Sequence, residues 1–309
     1  MPGILIYSDN ITLTKQLITA GLLLKEKMNQ PVYVILTGEQ DLTGIANTAA
    51  DEVFVLKGSN PWPESYADAI ANFASTEQIS AGLFGGTPRG KDIAAKVAAK
   101  LGAGLVTEAQ SVEFDDGCLL TTRLLYGGLA VATEEVKLPA LATIAPKTFE
   151  EAGSSDKQTE VITIEAANEL NQITIGETCP VVREGVELSA ANRIVSVGRG
   201  VGKKEDLSMI GELAQAFDAE IGCTRGIAED YHWLPVERYI GISGQKVKPD
   251  MYFGVGVSGQ VQHLAGMRES KVIVAIDMNE NAPIFEAADY GIVGDLYEVV
   301  PLLIEALKS

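Results

Sequence analysis

The sequence is short of base. In 309 residues, Lys and Arg number 24 against 42 Asp and Glu, giving a formal charge of −18. Binding to nucleic acid by counterion release needs stripes of Lys and Arg, and no run of them is present, so nucleic acid is excluded as the main partner. Histidine is scarcer still: His232 and His263 are the only two, too few for a His-rich metal site. The three cysteines, Cys118, Cys179 and Cys223, are widely spaced and form no C-x-x-C. A disulfide framework, a zinc ribbon and an iron–sulfur cluster are excluded on that ground. Uncharged stretches such as residues 124–133 and 138–146 fall far short of the roughly 20 residues that cross a bilayer, so no direct membrane insertion is expected. The opening Met1-Pro2-Gly3-Ile4-Leu5-Ile6-Tyr7 reads as a first strand and shows no basic-then-apolar leader. The expected location is the cytoplasm in a prokaryote, or the mitochondrial matrix in a eukaryote.

What is present is ordinary for a packed protein. Hydrophobic residues make up 46% and charged ones 21%, which argues against long disorder. At roughly 150 residues per domain, the length predicts about two domains. The surplus acid has two readings, a surface kept soluble or an acidic face for a basic partner, and composition does not choose between them.

The first half alternates strands and helices. Residues 4–7, 32–36, 52–56 and 80–84 form apolar runs closed by turn residues, and helical patterns lie between them. In the first of these patterns Ile11, Lys15, Ile18 and Leu22 recur at helical spacing; another covers residues 91–100. Such alternation implies a parallel sheet. Residues 104–146 change to short β-like runs with Gly and Asp turns, read as antiparallel additions to that sheet. Residues 161–164 and 173–175 are read as strands returning to the first domain. A boundary falls at residues 185/186, giving domains 1–185 and 186–309. In the second domain, strands are expected at 194–197, 220–223, 239–242, 251–255, 272–276 and 290–293. Leu207, Ile210, Leu213, Ala214 and Phe217 make an amphipathic helical stripe, and residues 301–307 close the chain as a helix.

Ligands of open parallel sheets bind beyond the carboxyl ends of the strands. In the second domain those places hold Gly198-Arg199-Gly200, Thr224-Arg225, Ser243-Gly244, Ser258-Gly259, Asp277 and Asp295. Gly198-Arg199-Gly200-Val201-Gly202 resembles a dinucleotide-binding turn, in which glycines let the backbone approach a phosphate, although the third glycine comes one residue early. An NAD site also wants an acidic residue at the end of the second strand; Thr224-Arg225 stands there, and a cation suits phosphate or a ring that carries negative charge. Ser258 is expected to cap a helix whose Val261, Leu264 and Ala265 face the sheet. His263 then sits one turn in, off the buried stripe, either as a structural residue or as a donor to a cofactor carbonyl. Asp277 and Asp295 either accept from ribose hydroxyls or cap turns. No Ser/His/Asp order or carboxylate pair indicates hydrolysis. Gly38-Glu39 and Gly85-Gly86-Thr87-Pro88 also follow strands, without forming a cofactor motif.

Taken together, Gly198-Arg199-Gly200, Thr224-Arg225, Gly241-Ile242-Ser243-Gly244, Ser258 to Met267 and the stretch from Ala282-Pro283-Ile284-Phe285 to Asp295-Leu296 resemble the α subunit of electron-transferring flavoproteins. The likeness is strongest over residues 193–309. It implies an α/β protein of two three-layer α/β/α domains, the C-terminal one a doubly wound parallel-sheet FAD-binding domain. It implies a heterodimer with a β subunit, and an electron carrier rather than a stand-alone enzyme. Such a carrier accepts electrons from flavin dehydrogenases, such as the acyl-CoA dehydrogenases of fatty acid oxidation, and passes them to a quinone reductase or another redox partner. Carried over by position, Arg199, Thr224, the turn Ile240-Gly241-Ile242-Ser243 and the segment Ser258-Gly259-Gln260-Val261-Gln262-His263 would line the FAD. Asp277 and Asp295-Leu296 would take its adenosine end. His263 would face the pyrimidine carbonyl, and Arg225 would favour reduced, anionic flavin by Coulomb attraction. The family commonly has Gly-Gln-Thr-Gly where this chain has Gly241-Ile242-Ser243-Gly244; Ser243 keeps a hydroxyl, and Ile242 removes an amide. Two other readings stand beside this one: an NAD(P)-dependent oxidoreductase or transhydrogenase on the same sheet, and a non-redox nucleotide-binding regulatory subunit.

Overall fold

The computed structural model describes residues 2–37, 42–58, 60, 62–155, 159–166, 176–177, 179 and 188–308. The chain divides into two compact units, Met1–Thr178 and Cys179–Ser309. The expected boundary at 185/186, the strand at 173–175 and the Gly38-Glu39 turn lie outside the described residues.

The first unit contains β1 (Ile4–Tyr7), α1 (Ile11–Met28), β2 (Val32–Thr37), α2 (Thr43–Ala46), β3 (Glu52–Lys57), α3 (Ala67–Thr76), β4 (Ala81–Gly85) and α4 (Pro88–Leu101). After these come β5 (Gly104–Ala109), β6 (Ser111–Asp115), β7 (Cys118–Leu125), β8 (Ala130–Lys137), β9 (Ala140–Ile144) and β10 (Glu160–Glu165). Seven strands form one sheet in the order β10-β3-β2-β1-β4-β9-β5, and every pairing in it is parallel. Strands β1, β2, β4 and β9 are buried along their whole length, which is why their sequences are continuous apolar runs rather than alternating ones. The stripe that α1 buries is Leu13, Leu17, Ile18 and Leu24; of the Ile11–Lys15–Ile18–Leu22 pattern that spacing predicts, Ile18 is central to it and Ile11 and Leu22 pack at its margin. Helices α3 and α4 cover the opposite face.

Residues 104–146 differ from expectation. Strands β5 and β9 enter the main sheet parallel to their neighbours, while β6, β7 and β8 form a separate three-stranded antiparallel sheet. That sheet packs Val112 and Leu119 against the α1 side of the core. Gly and Asp turns mark hairpins correctly but do not say which sheet a hairpin joins.

The second unit contains β11 (Arg193–Val197), α5 (Leu207–Phe217), β12 (Glu220–Cys223), β13 (Met251–Val255), α6 (Val261–Met267), β14 (Val272–Asp277), α7 (Ile284–Ala287), β15 (Tyr290–Val293) and α8 (Leu296–Lys308). Its sheet runs β12-β11-β13-β14-β15, all parallel. Helices α5 and α8 pack on one face and α6 and α7 on the other, so the unit is three-layered and doubly wound. Residues 239–242 are not a strand: only isolated bridges, Cys223 to Tyr239 and Ile240 to Gln245, form there. Tyr239 buries on the α5 side and Ile240 on the α6 side, so this stretch carries the chain from one layer to the other. The last helix begins at Leu296 and holds Pro301 inside it, five residues earlier than a proline-started helix would.

Candidate functional site

Counted along the second unit, the strand order is second, first, third, fourth, fifth. In such a sheet the switch point lies between the first and third strands, here β11 and β13. The turns leaving them are locked together. Gly198 N–H donates to Val255 O at 3.0 Å and Gly200 N–H to Gly256 O at 3.0 Å. A Cβ on Gly198 would sit 2.2 Å from Gly256 O, and one on Gly200 would sit 2.6 Å from Gly256 Cα. Both glycines are required where two backbones touch, a reason for them that the sequence reading did not supply beside the close approach of a phosphate. Arg199, between them, is exposed. Its stem passes over Gly226, where a Cβ would lie 2.8 Å from Arg199 Cδ, and among the described residues no carboxylate pairs with it.

At the end of β12, Thr224 is half-buried, and its carbonyl accepts from Ile227 and Ala228 N–H. Arg225 is exposed, and its Nε donates to Glu229 Oε2 at 2.6 Å across one π-helical turn, Gly226–Asp230. The Glu229 hydrogen bond first, and then its charge, hold the guanidinium above its ordinary range. Glu229 thus offsets part of the positive charge that the sequence places at this edge.

The turn 240–244 is seated on α6. Ile242 N–H donates to Gln262 O at 2.9 Å, and a Cβ on Gly266 would lie 2.5 Å from Gly241 N. Ile240 is fully buried, Gly241 is buried, and Ile242 is 54% exposed. Ser243 Oγ lies 3.2 Å from the Tyr239 hydroxyl. The open Ile242 side chain places an apolar surface where a long amide would offer polar atoms.

Ser258 does not cap α6. The N-cap is Gln260, without a side-chain cap bond, while Ser258 is exposed and its carbonyl accepts from Ile284 N–H at 3.1 Å. A Cβ on Gly259 would lie 2.3 Å from Ile284 N, so the loop ahead of α6 is pinned to α7 and the helix starts late. The buried residues of α6 are His263, Leu264, Gly266 and Met267, whereas Val261 is 46% exposed and Gln262 is exposed. Leu264 faces the core as expected and Ala265 is half-buried, but Val261 is open and His263 is buried, against expectation. His263 is on the buried stripe, its Nε2 2.6 Å from the Tyr252 hydroxyl. Its Nδ1 is buried and makes no hydrogen bond. Burial pushes the imidazole down to about 4, against a smaller opposing pull from the Ile240 carbonyl. The ring is therefore neutral at pH 7. An unmatched buried polar atom costs about 1–3 kcal/mol, which a bound acceptor or donor would return.

Asp277 and Asp295 share this edge of the sheet, with Gly294 N–H donating to Asp277 O. Each carboxylate already accepts one backbone N–H: Asp277 from Asn279 at 2.9 Å and Asp295 from Tyr297 at 2.8 Å. Both turn-capping roles are thus filled, with a second oxygen on each left over. Leu296 is buried in the α5 side of the core.

Three residues were not singled out by sequence. Tyr252 lay hidden as one aromatic in an apolar strand, Glu229 as one carboxylate in an acidic chain. Tyr297 ties α8 to the first turn, donating to Asp206 Oδ2 at 2.6 Å and accepting from Gly202 N–H at 2.9 Å. The four-residue spacing from Arg225 to Glu229 was the one available signal. Among the described residues no cluster of His, Cys, Asp or Glu could hold a metal ion, and no helix is long and apolar enough to cross a membrane.

A parallel sheet switched between β11 and β13, with glycine turns, cations and an unmatched histidine atom at its carboxyl edge, defines a nucleotide-cofactor domain. Residues 187–268 match the family described as the electron transfer flavoprotein FAD-binding domain, and residues 11–169 match the electron transfer flavoprotein domain. The chain is 38% identical over 307 residues to the "Putative electron transfer flavoprotein subunit YdiR" of Escherichia coli K12, covering 98% of this chain and 97% of that one. It is 35% identical to "Protein FixB" of Salmonella typhimurium LT2 and 36% identical to that of Escherichia coli O127:H6, each over 309 residues with the same coverage. The chain belongs to the electron transfer flavoprotein family, as an α-type subunit, and its cofactor is FAD. The residues present fit that group. His263 offers an unmatched buried nitrogen, Arg199 and Arg225 are exposed cations for an anionic ligand, and Asp277 and Asp295 each keep an oxygen for hydroxyl groups.

Proposed function

We propose that this chain is the FAD-carrying α-type subunit of a two-subunit electron carrier, and not an enzyme that acts alone. It would pair with a β-type subunit, accept electrons from flavin dehydrogenases such as acyl-CoA dehydrogenases, and pass them to a quinone reductase or another redox partner in the cytoplasm. The observation that carries the reading is the carboxyl edge of the second sheet, where cations and an unpaired histidine nitrogen gather without any hydrolytic set. When bound, FAD supplies the electron chemistry; the chain supplies binding, orientation and charge. Arg199, Thr224, the turn 240–243 and residues 258–263 line the flavin and its phosphates. Asp277 and Asp295 accept from ribose hydroxyls, with Leu296 packed behind them. Arg225 stabilises negative charge on the ring, moderated by Glu229, and Ile242 excludes water from the ring edge.

Co-expression with a β-type partner tests this. The expected product is a yellow complex with flavin absorption bands, not reduced by NADH alone and reduced in two one-electron stages on titration. Arg225→Ala is expected to lower the potential by on the order of tens of millivolts. A colourless complex after added FAD overturns the reading in favour of a non-redox nucleotide-binding subunit. Reduction by NADH of the flavin on this chain without the β-type subunit overturns it in favour of an NAD-dependent oxidoreductase.

A further inference from the structure

His263 makes one bond within hydrogen-bonding geometry, to Tyr252, while the Ile240 carbonyl acts on the ring from outside that geometry. Tyr252 stands in β13, opposite Ile194 of β11, and its side chain is fully buried. A buried tyrosine hydroxyl has to find a partner, and this one lies 2.6 Å from Nε2 of His263. The rings meet edge to face, with centroids 6.0 Å apart. We propose that Tyr252 is a positioning residue for the flavin: its hydroxyl donates to Nε2, fixes His263 as the Nδ1–H tautomer, and so presents Nδ1–H as a donor to a carbonyl oxygen of the isoalloxazine. The inference rests on the FAD reading above.

The direction of the Tyr252–His263 bond follows from chemistry. An imidazole nitrogen is a stronger acceptor than a phenol oxygen, so the O–H···N arrangement is favoured over N–H···O. Burial keeps the phenol protonated and the imidazole neutral, so with the phenol proton lying between them the single ring N–H of His263 is on Nδ1. The fully buried Ser196 hydroxyl, on the neighbouring strand, makes no hydrogen bond, so His263 is the partner within hydrogen-bonding geometry of the phenol. The second-sphere bond then does what outer-shell partners do for other histidine sites: it sets which nitrogen faces the ligand.

The chain has only two histidines, which makes the test direct. The chain, isotope-labelled at the histidine nitrogens and paired with an unlabelled β-type subunit, is read by nitrogen NMR, with His232→Gln to assign the other ring. The expected result is one His263 species with a protonated Nδ1 and a bare Nε2. In Tyr252→Phe that fixed tautomer is lost, the FAD dissociation constant rises about tenfold and the flavin potential shifts. In a His263→Gln background, Tyr252→Phe is expected to change FAD affinity no further. A protonated Nε2 in the wild type overturns the proposal, as does an equal loss of FAD affinity with and without His263. A complex that takes up no FAD defeats the proposed function instead, and the wild-type tautomer still decides the role of Tyr252.

Discussion

The two units use one architectural idea to opposite ends. Both are parallel sheets between helices, with polar residues at the strand ends. In the first unit those residues satisfy one another. Asn10, after β1, caps α1 by accepting from Leu13 N–H at 3.0 Å, and also donates its own N–H to Ser8 Oγ at 3.1 Å. Thr87, after β4, caps α4 by accepting from Gly90 N–H at 2.9 Å and bonds Asp9 Oδ1 at 2.6 Å. Side-chain caps are missing from α5 and α6 of the second unit and from α2 and α3 of the first, so the difference lies in the groups at the carboxyl edge. Arg199 has no carboxylate partner among the described residues, and His263 keeps Nδ1 unmatched. Polar groups that cap helices stabilise a scaffold. The same kinds of group left unmatched at a switch point are available to a ligand, and the free energy withheld from folding returns on binding.

Changes of decreasing size can break or sharpen that contrast. The largest expected effect is on pH dependence. His263 falls from an ordinary value of 6.5 to about 4 in the folded state, so the unfolded chain binds the extra proton between those values. The stability it contributes is complete above about pH 6.5 and is lost as pH falls toward 4, on the order of a few kcal/mol. Urea unfolding of the second unit at pH 7 and 4.5 should show the loss in the wild type and a smaller one in His263→Gln. Next comes Gly198→Ala. Its Cβ meets a backbone oxygen at 2.2 Å, so thermal unfolding should show a cost of about 1–3 kcal/mol together with poor FAD retention. Thr87→Ala should cost about 1 kcal/mol through the lost cap of α4 and leave the flavin spectrum and potential unchanged; a shifted potential would show that the first unit also acts on the flavin. The smallest effect is a gain. Gly211 lies inside α5 with nothing within 4 Å of its would-be Cβ, so Gly211→Ala should raise stability by about 0.5–1 kcal/mol. No gain on melting would mean that the helix is held by contacts along its backbone.

Much of the fold is legible in the amino-acid order. The sheet strands read as continuous apolar runs because both faces of each sheet are covered, and β12 and the cores of β11, β13 and β14 fall within a residue of their expected bounds. Local reasoning fails on direction. The α1 stripe, the start of α6 and the burial of His263 all depend on which neighbour a helix meets. Spacing alone gives a helix its period but not its rotation. Ser258 is a good capping residue by type, yet Gly259 is pinned against Ile284 and delays the helix past it. The candidate site residues stand out by their place at strand ends, but Tyr252 and Glu229 do not, since each acts through a partner distant in space or on the next turn.

By itself, the sequence determined the α/β class, the strand order of events and the carboxyl edge where chemistry gathers, since buried periodicity and turn chemistry are local properties. Only the tertiary structure decided that residues 111–137 build their own sheet, that Gly198 and Gly200 serve backbone contact, and that His263 faces inward to Tyr252. Those outcomes depend on what lies across a gap of a few ångströms between segments far apart in the chain, and excluded volume and hydrogen-bond pairing there are fixed only once the layers have packed.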